Sequence, residues 1–339
     1  MLVRKTIPLE SIVNFSGIHL VWLLLYSTLV TVLYEYAGWK WIAIPFVPVT
    51  LIGTALAFYL GFKNSQAYDR LWEARKIWGA IVNSSRTWGS LVVALVRNPE
   101  SSESQLQSIK TKLIYRHIAW LYTLREQLLI PTQWEHVSLR KHFGSINVKR
   151  RDQFGVGKFK EYLTEKQEKS YFSESDQWKN AANGATQIIN IQIKEIAKLW
   201  ETQYLDLFHQ IELQSVLSDF YTFQGQAERI KKFPLPRQYA NSSLIFNGIF
   251  IFLLPLGIVA EFAKLGDNGI WWTIPFAALV SWVYVIMELV GDYSENPFEG
   301  LANDIPMLAI CRTIEIDLLE ILGETDLPEP IKPVNDILM

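Results

Sequence analysis

"VTLIGTALAFYLGF", residues 49–62, carries no charge and holds two rows of contrasting bulk side by side. On an α-helix of about 3.6 residues per turn, Thr54, Phe58 and Phe62 fall four apart along one stripe. Gly53, Ala57 and Gly61 fall four apart along the stripe beside it. Small residues at this spacing let helices approach closely in lipid, where packing rather than water exclusion drives association. Two arrangements satisfy the pattern. In one, neighbouring copies of the helix pack through the small row around an axis, and the bulky row forms a narrow apolar constriction that gates ions by dewetting. In the other, both stripes pack against the remaining spans of the same subunit. Periodicity alone leaves the two open.

The stretch is the inner half of an apolar run, residues 41–62, and three further runs resemble it at 18–34, 244–260 and 270–290. A bilayer core of roughly 30 Å needs about 20 apolar residues in a helix, so four spans are expected. The run at 18–34 is followed at once by another span and lacks a small-residue cleavage pattern, which argues against a cleaved signal peptide. Pro45 and Pro48, near the outer end of the second run, are expected to kink or delay its helix.

Basic residues set the orientation. Arg4 and Lys5 precede the first span, Lys63, Arg70, Arg75 and Lys76 follow the second, and Arg229, Lys231, Lys232 and Arg237 precede the third. The turns within each hairpin carry only Lys40 and Lys264. Both termini and the long middle segment are therefore expected in the cytoplasm, with the chain multi-pass in the inner (plasma) membrane.

Four regions follow: 1–62 with spans one and two, 63–243 as a cytosolic helical region, 244–290 with spans three and four, and 291–339 as a cytosolic loop, helix and tail. Within the middle region, Ala67, Leu71, Ala74, Trp78, Ile81 and Val82 recur at helical spacing, continuing the second span into the cytoplasm. "RNPESSES" at 97–104 ends that helix, and the serines favour the start of the next. Residues 141–182, rich in Lys, Glu, Ser, Gly and Asn, read as a mobile or exposed excursion. No strand-type alternation of any length is present, so the fold class is an all-α membrane protein.

Composition and motif exclude much chemistry. Half of the 339 residues are hydrophobic, 19% are charged, and the formal charge is −2, which gives no footing for nucleic acid. Cys311 is the only cysteine, so there is no intrachain disulfide or cysteine metal cluster; it reads as an apolar filler. His19, His117, His136, His142 and His209 show no paired-ligand spacing, and His117 reads as a packed core histidine. Glu315 and Asp317 point to different sides of a helix, so a solvated or salt-bridged face is expected there. Glu261 and Glu288 lie at span ends, where the interface can solvate them. An enzyme, a metal site and a bound cofactor are therefore not expected.

"LGFKNSQAYDRLWEARKIWG" at 60–79, "RHIAWLYTLREQL" at 116–128, "GQAERIKKFPLPRQYA" at 225–240 and "ENPFEGLANDIPMLAICRTIEIDLLEILGE" at 295–324 together resemble the bestrophin family, especially its bacterial members. The blocks run in the same order across nearly the whole chain, apart from 141–182. The resemblance implies a homopentameric channel for monovalent ions with four spans per subunit and a helical cytosolic body around one pore. It places the pore neck on Thr54, Phe58 and Phe62, with a Thr where relatives carry a larger aliphatic residue, and a cytosolic aperture near Phe208. Animal bestrophins bind calcium after "NPF" through an acidic run; here Glu299 and Asp304 stand without that run, so tight calcium activation is not expected. The resemblance leaves the sign of the conducted ion open between chloride-type anions and cations. A membrane-anchored scaffold or sensor whose cytosolic body binds a partner is the alternative function.

Overall fold

The computed structural model describes residues 1–6, 9–139, 162–266 and 268–339. Among them are ten α-helices and no strand; the only β-type pairs are isolated bridges of Ile337 with Leu2 and with Val334. Among the described residues, four helices are long and apolar enough to cross a membrane. They are α1 (Leu9–Glu35), the first part of α2 (Phe46–Leu95), α8 (Arg237–Ala263) and α9 (Thr273–Asp292).

Helix α2 organises the molecule. Pro45 occupies its N-cap position and Pro48 its first turn, where a missing N–H costs nothing and the fixed φ suits a helix. The prolines thus set where the helix begins and do not bend it later. Fifty residues at the α-helical rise reach roughly 75 Å, so one helix crosses the apolar layer and continues through the helical body beyond it. It ends at Leu95, and Ser102 caps α3 (Glu103–Leu129) by accepting the Gln105 N–H.

Around the second half of α2 pack α3, α7 (Leu207–Lys232) and α10 (Met307–Leu322), and α6 (Gly184–Glu201) packs on α3 and α7. Their shared core holds Trp78, Trp88, Trp120, Tyr122, Phe220 and Ile314, each at most 1% exposed. Cys311 is buried in that core, where it acts as filler. The membrane layer has smaller cores: Leu23, Ile251, Val285 and Leu289 join α1, α8 and α9, while Val49, Leu56, Leu60, Phe250 and Leu254 join α2 to α8. Short helices α4 (His136–Leu139) and α5 (Glu165–Tyr171) complete the set.

The excursion expected at 141–182 divides in two. Residues 140–161 lie outside the described residues. From 162 onward the segment is packed: Thr164 and Gln167 form a reciprocal capping box at the start of α5, and Leu163, Tyr171 and Trp178 are buried in the main core. The segment keeps exposed polar side chains such as Glu165 and Asp176, while a few aromatic anchors dock it on the core.

Candidate functional site

Thr54, Phe58 and Phe62 all lie on one exposed face of α2, and the two phenylalanines are 67% and 66% exposed in the subunit. Thr54 Oγ1 donates to the Thr50 carbonyl at 2.9 Å, so its hydroxyl is satisfied by its own helix. The same face continues through Ser65, Asp69, Trp72 and Lys76. An apolar band thus gives way to polar residues along one unbroken helical surface.

The small row behaves differently at its two ends. A Cβ on Gly53 would stand 2.7 Å from Phe250 Cε2 on α8, so Gly53 accommodates a neighbour within the subunit. Ala57 is half-buried, and a Cβ on Gly61 would meet nothing within 4 Å. At Gly53 the packing is that of the same-subunit arrangement; at Gly61 the surface is open.

Where α2 leaves the apolar layer, charge is buried and not solvated. Lys63 is 1% exposed, and its Nζ donates to Glu288 Oε1 at 2.5 Å and to Ser243 Oγ at 3.0 Å. The expectation of an interface-solvated Glu288 is therefore corrected, since a lysine one helix away neutralises it. Glu261 is exposed and paired with Lys264, as a span-end residue should be.

Just beyond, the loop between α9 and α10 is held by side chains from four other elements. Arg237 pairs with Glu295 at 3.0 Å, and Arg70 donates to the carbonyls of Glu295 and Phe233. Lys231 pairs with Glu135 at 2.5 Å and donates to the Phe298 carbonyl. His136 lies 2.9 Å from Asp292 and 3.0 Å from Glu299. Burial alone would lower its pKa, but the hydrogen bonds to Asp292 and Glu299 outweigh that and raise it to about 10. His136 is thus an imidazolium clamped between two carboxylates.

Asp304 accepts the backbone N–H groups of Phe298, Gly300 and Ile305 at 2.7–3.0 Å. That cradle supports the left-handed backbone of Phe298 and Gly300, φ 71° and 77°. Glu299 and Asp304, the two carboxylates left after "NPF", are therefore bonded to protein donors. Among the described residues, no group of three or more His, Cys, Asp or Glu side chains is placed to hold a metal ion.

In the body, Glu315 is fully buried and accepts the Tyr122 and Tyr171 hydroxyls at 2.6 and 2.8 Å, with Arg312 at 3.0 Å. Asp317, pointing elsewhere, pairs with Arg86. The salt-bridged reading holds for both, but the solvated one fails for Glu315; only tertiary packing reveals its two tyrosine donors. His117 is buried and lies 2.9 Å from Ser85 Oγ, and burial lowers its pKa to about 3. It is a neutral core histidine. Phe208 is 81% exposed at the start of α7, beside exposed Leu207 and Ile211.

A long helix with an exposed apolar-to-polar face, carried by a four-span membrane layer and a helical body, defines the class of protein. Residues 10–320 match the family described as Bacterial/Fungal Bestrophin protein, and the chain belongs to that family. It is 26% identical over 304 residues to a voltage-dependent anion channel-forming protein of Escherichia coli (strain K12), covering 88% of this chain and 83% of that one. A protein of Mesorhizobium japonicum, also named voltage-dependent anion channel-forming, is 26% identical over 279 residues, covering 82% and 75%. The fold matches the crystal structure of a bacterial bestrophin homologue from Klebsiella pneumoniae with a TM-score of 0.68 at 22% identity, covering 91% of this chain and 98% of that one.

Proposed function

We propose that the chain assembles as a homopentamer in the inner membrane and passes monovalent ions through a pore lined by α2, with both termini cytoplasmic. The observation that carries this reading is the coverage of the spans. Only 17% of the apolar window of the second span is buried within the subunit, against 33%, 50% and 39% for the first, third and fourth. A helix so sparsely covered, yet bearing an aromatic row that runs into a polar face, suits a pore axis shared by several copies. Phe58 and Phe62, with Thr54 at the outer end, then form a neck that holds back water and ions by its apolar surface.

Phe208, exposed and apolar on the cytosolic body, is the proposed second constriction. Gly61 is the proposed point of close approach between subunits. The neck carries no fixed charge and selects no sign. The names of the relatives favour an anion such as chloride, drawn through by charges outside the neck. Micromolar calcium is not the proposed trigger, because Asp304 and Glu299 already bind protein donors.

Reconstitution into liposomes tests the reading. Wild type is expected to conduct, with a reversal potential in a KCl gradient displaced toward that of chloride. Displacement toward potassium would keep the pore and overturn the sign. No flux from wild type or from the Phe58→Ala, Phe62→Ala double variant would overturn the channel and favour a membrane-anchored scaffold or sensor.

A further inference from the structure

The row of α2 that carries Phe58 and Phe62 runs on beyond the apolar layer in steps of three or four residues and stays largely exposed. Between Thr54 and Ala94 it holds two charged residues, Asp69 and Lys76. Lys76 is paired with Glu73 at 2.7 Å, one turn back on the same helix. Farther along, the row passes through Asn83, Thr87 and Ser90, which are exposed and uncharged.

Asp69 is exposed and has no counter-ion among the described residues. The basic residues around it in the chain are engaged elsewhere. Arg70 donates to the carbonyls of Ile230, Phe233 and Glu295, and Lys63 is buried against Glu288. Arg75 stands on a different stripe of the helix. Trp72, one turn beyond Asp69 on the row, is also exposed, and the face of an aromatic ring attracts cations. Phe62 and Asp69 are two turns apart, roughly 10 Å along the helix axis.

We infer, on the pore proposed above, that Asp69 repeated around the axis forms a ring of carboxylates on the inner side of the neck, which draws cations to that mouth and holds back chloride. An uncharged neck selects no sign, so the nearest unbalanced charge on the row tilts it. Rings of Asp or Glu have this effect in cation channels. Copies of one charge between poorly polarisable walls focus their field into the passage. At physiological ionic strength the Debye length is about 8 Å, so the field of the ring reaches most of the way back to Phe62. Any anion current that the chain carries therefore runs against Asp69.

The test is the reversal potential of the full-length protein in planar bilayers under a KCl gradient. Asp69→Asn keeps the size of an exposed side chain and removes its charge. It is expected to raise chloride permeability relative to potassium about threefold or more, and Asp69→Lys further still, whereas Asp69→Glu should behave as wild type. In Asp69→Cys the introduced thiol is the accessible one, because Cys311 is buried. Modifying it with a cationic methanethiosulfonate should move the ratio toward chloride, and an anionic reagent of similar size should move it back toward wild type. Without any substitution, the potassium-to-chloride ratio of wild type should fall as salt rises to about 1 M, where screening shortens to about 3 Å. A conducting wild type whose ratio ignores salt, together with variants and modified thiols that leave it unchanged, would overturn the inference and leave the pore standing. No conduction from wild type would overturn the pore itself, and the ring with it.

Discussion

Lys63 and Glu288, 225 residues apart in sequence, meet at 2.5 Å where α2, α8 and α9 converge. The pair is almost fully buried, and Ser243 lies within hydrogen-bond distance of both. Breaking such a pair leaves an uncompensated charge and typically costs about 3–5 kcal/mol, whereas replacing both partners with neutral groups costs far less. Lys63→Met is therefore expected to lower the unfolding temperature in detergent sharply. The double variant Lys63→Met, Glu288→Gln should recover at least half of the loss. A double variant as unstable as the single one would show that packing, not charge, sets the cost.

His136 gives the helical body a pH dependence with a definite sign. Its folded pKa, about 10, stands above the ordinary 6.5, so its contribution is fully present below the lower value and is lost as pH rises through the higher one. Stability of wild type is expected to fall between pH 7 and pH 10, on the order of a few kcal/mol at most. His136→Gln should start less stable at pH 7 and show a flatter profile. Parallel profiles for the two proteins would remove His136 from the account.

What was legible in the sequence was whatever depends on local pattern. The four apolar runs appear as helices, Pro45 and Pro48 mark the start of α2, and "RNPESSES" separates α2 from α3. Periodicity puts Thr54, Phe58 and Phe62 on one stripe, but that the stripe is exposed in the subunit is seen only in the structure. What was hidden depends on partners distant in the chain. Nothing near Glu288 announces Lys63, nothing near Glu315 announces Tyr122 and Tyr171, and nothing near Gly53 announces Phe250. A single lysine just after an apolar run, with a lone glutamate near the end of another, was the one signal that could have suggested the buried pair.

The docking of residues 162–178 rests partly on Tyr171, whose hydroxyl donates to the buried Glu315. Removing a donor to a buried carboxylate costs about 1–3 kcal/mol. Tyr171→Phe keeps the ring and its edge-on contact with Tyr115 but loses that bond. Faster hydrogen exchange confined to 162–178 is the expected result. Unchanged exchange there would mean that the aromatic packing of Tyr171 and Trp178 holds the segment unaided.

On the proposed neck, bulk and polarity are expected to act in opposite directions. Phe58→Ala and Phe62→Ala widen the apolar constriction and should raise single-channel conductance severalfold. Thr54→Leu should lower the current, because it lengthens the dewetting barrier at the one position where the row carries a hydroxyl. A current insensitive to all three would place the constriction elsewhere, with Phe208→Ala the next variant to record.

Gly53 and Gly61 share a stripe but not an environment, and they should respond differently to the same change. A Cβ at Gly53 collides with the Phe250 ring at 2.7 Å, and overpacking of this kind costs about 1–3 kcal/mol. Gly53→Ala is therefore expected to lower the stability of the subunit itself. At Gly61 a Cβ meets nothing within the subunit, so Gly61→Ala should leave folding intact. A larger side chain there intrudes only if a neighbouring copy of α2 comes close. Gly61→Leu is thus expected to spare helix content while shifting the detergent-solubilised protein from its wild-type oligomer toward smaller species, read by multi-angle light scattering. An unchanged oligomer would place the closest contact between subunits away from this stripe.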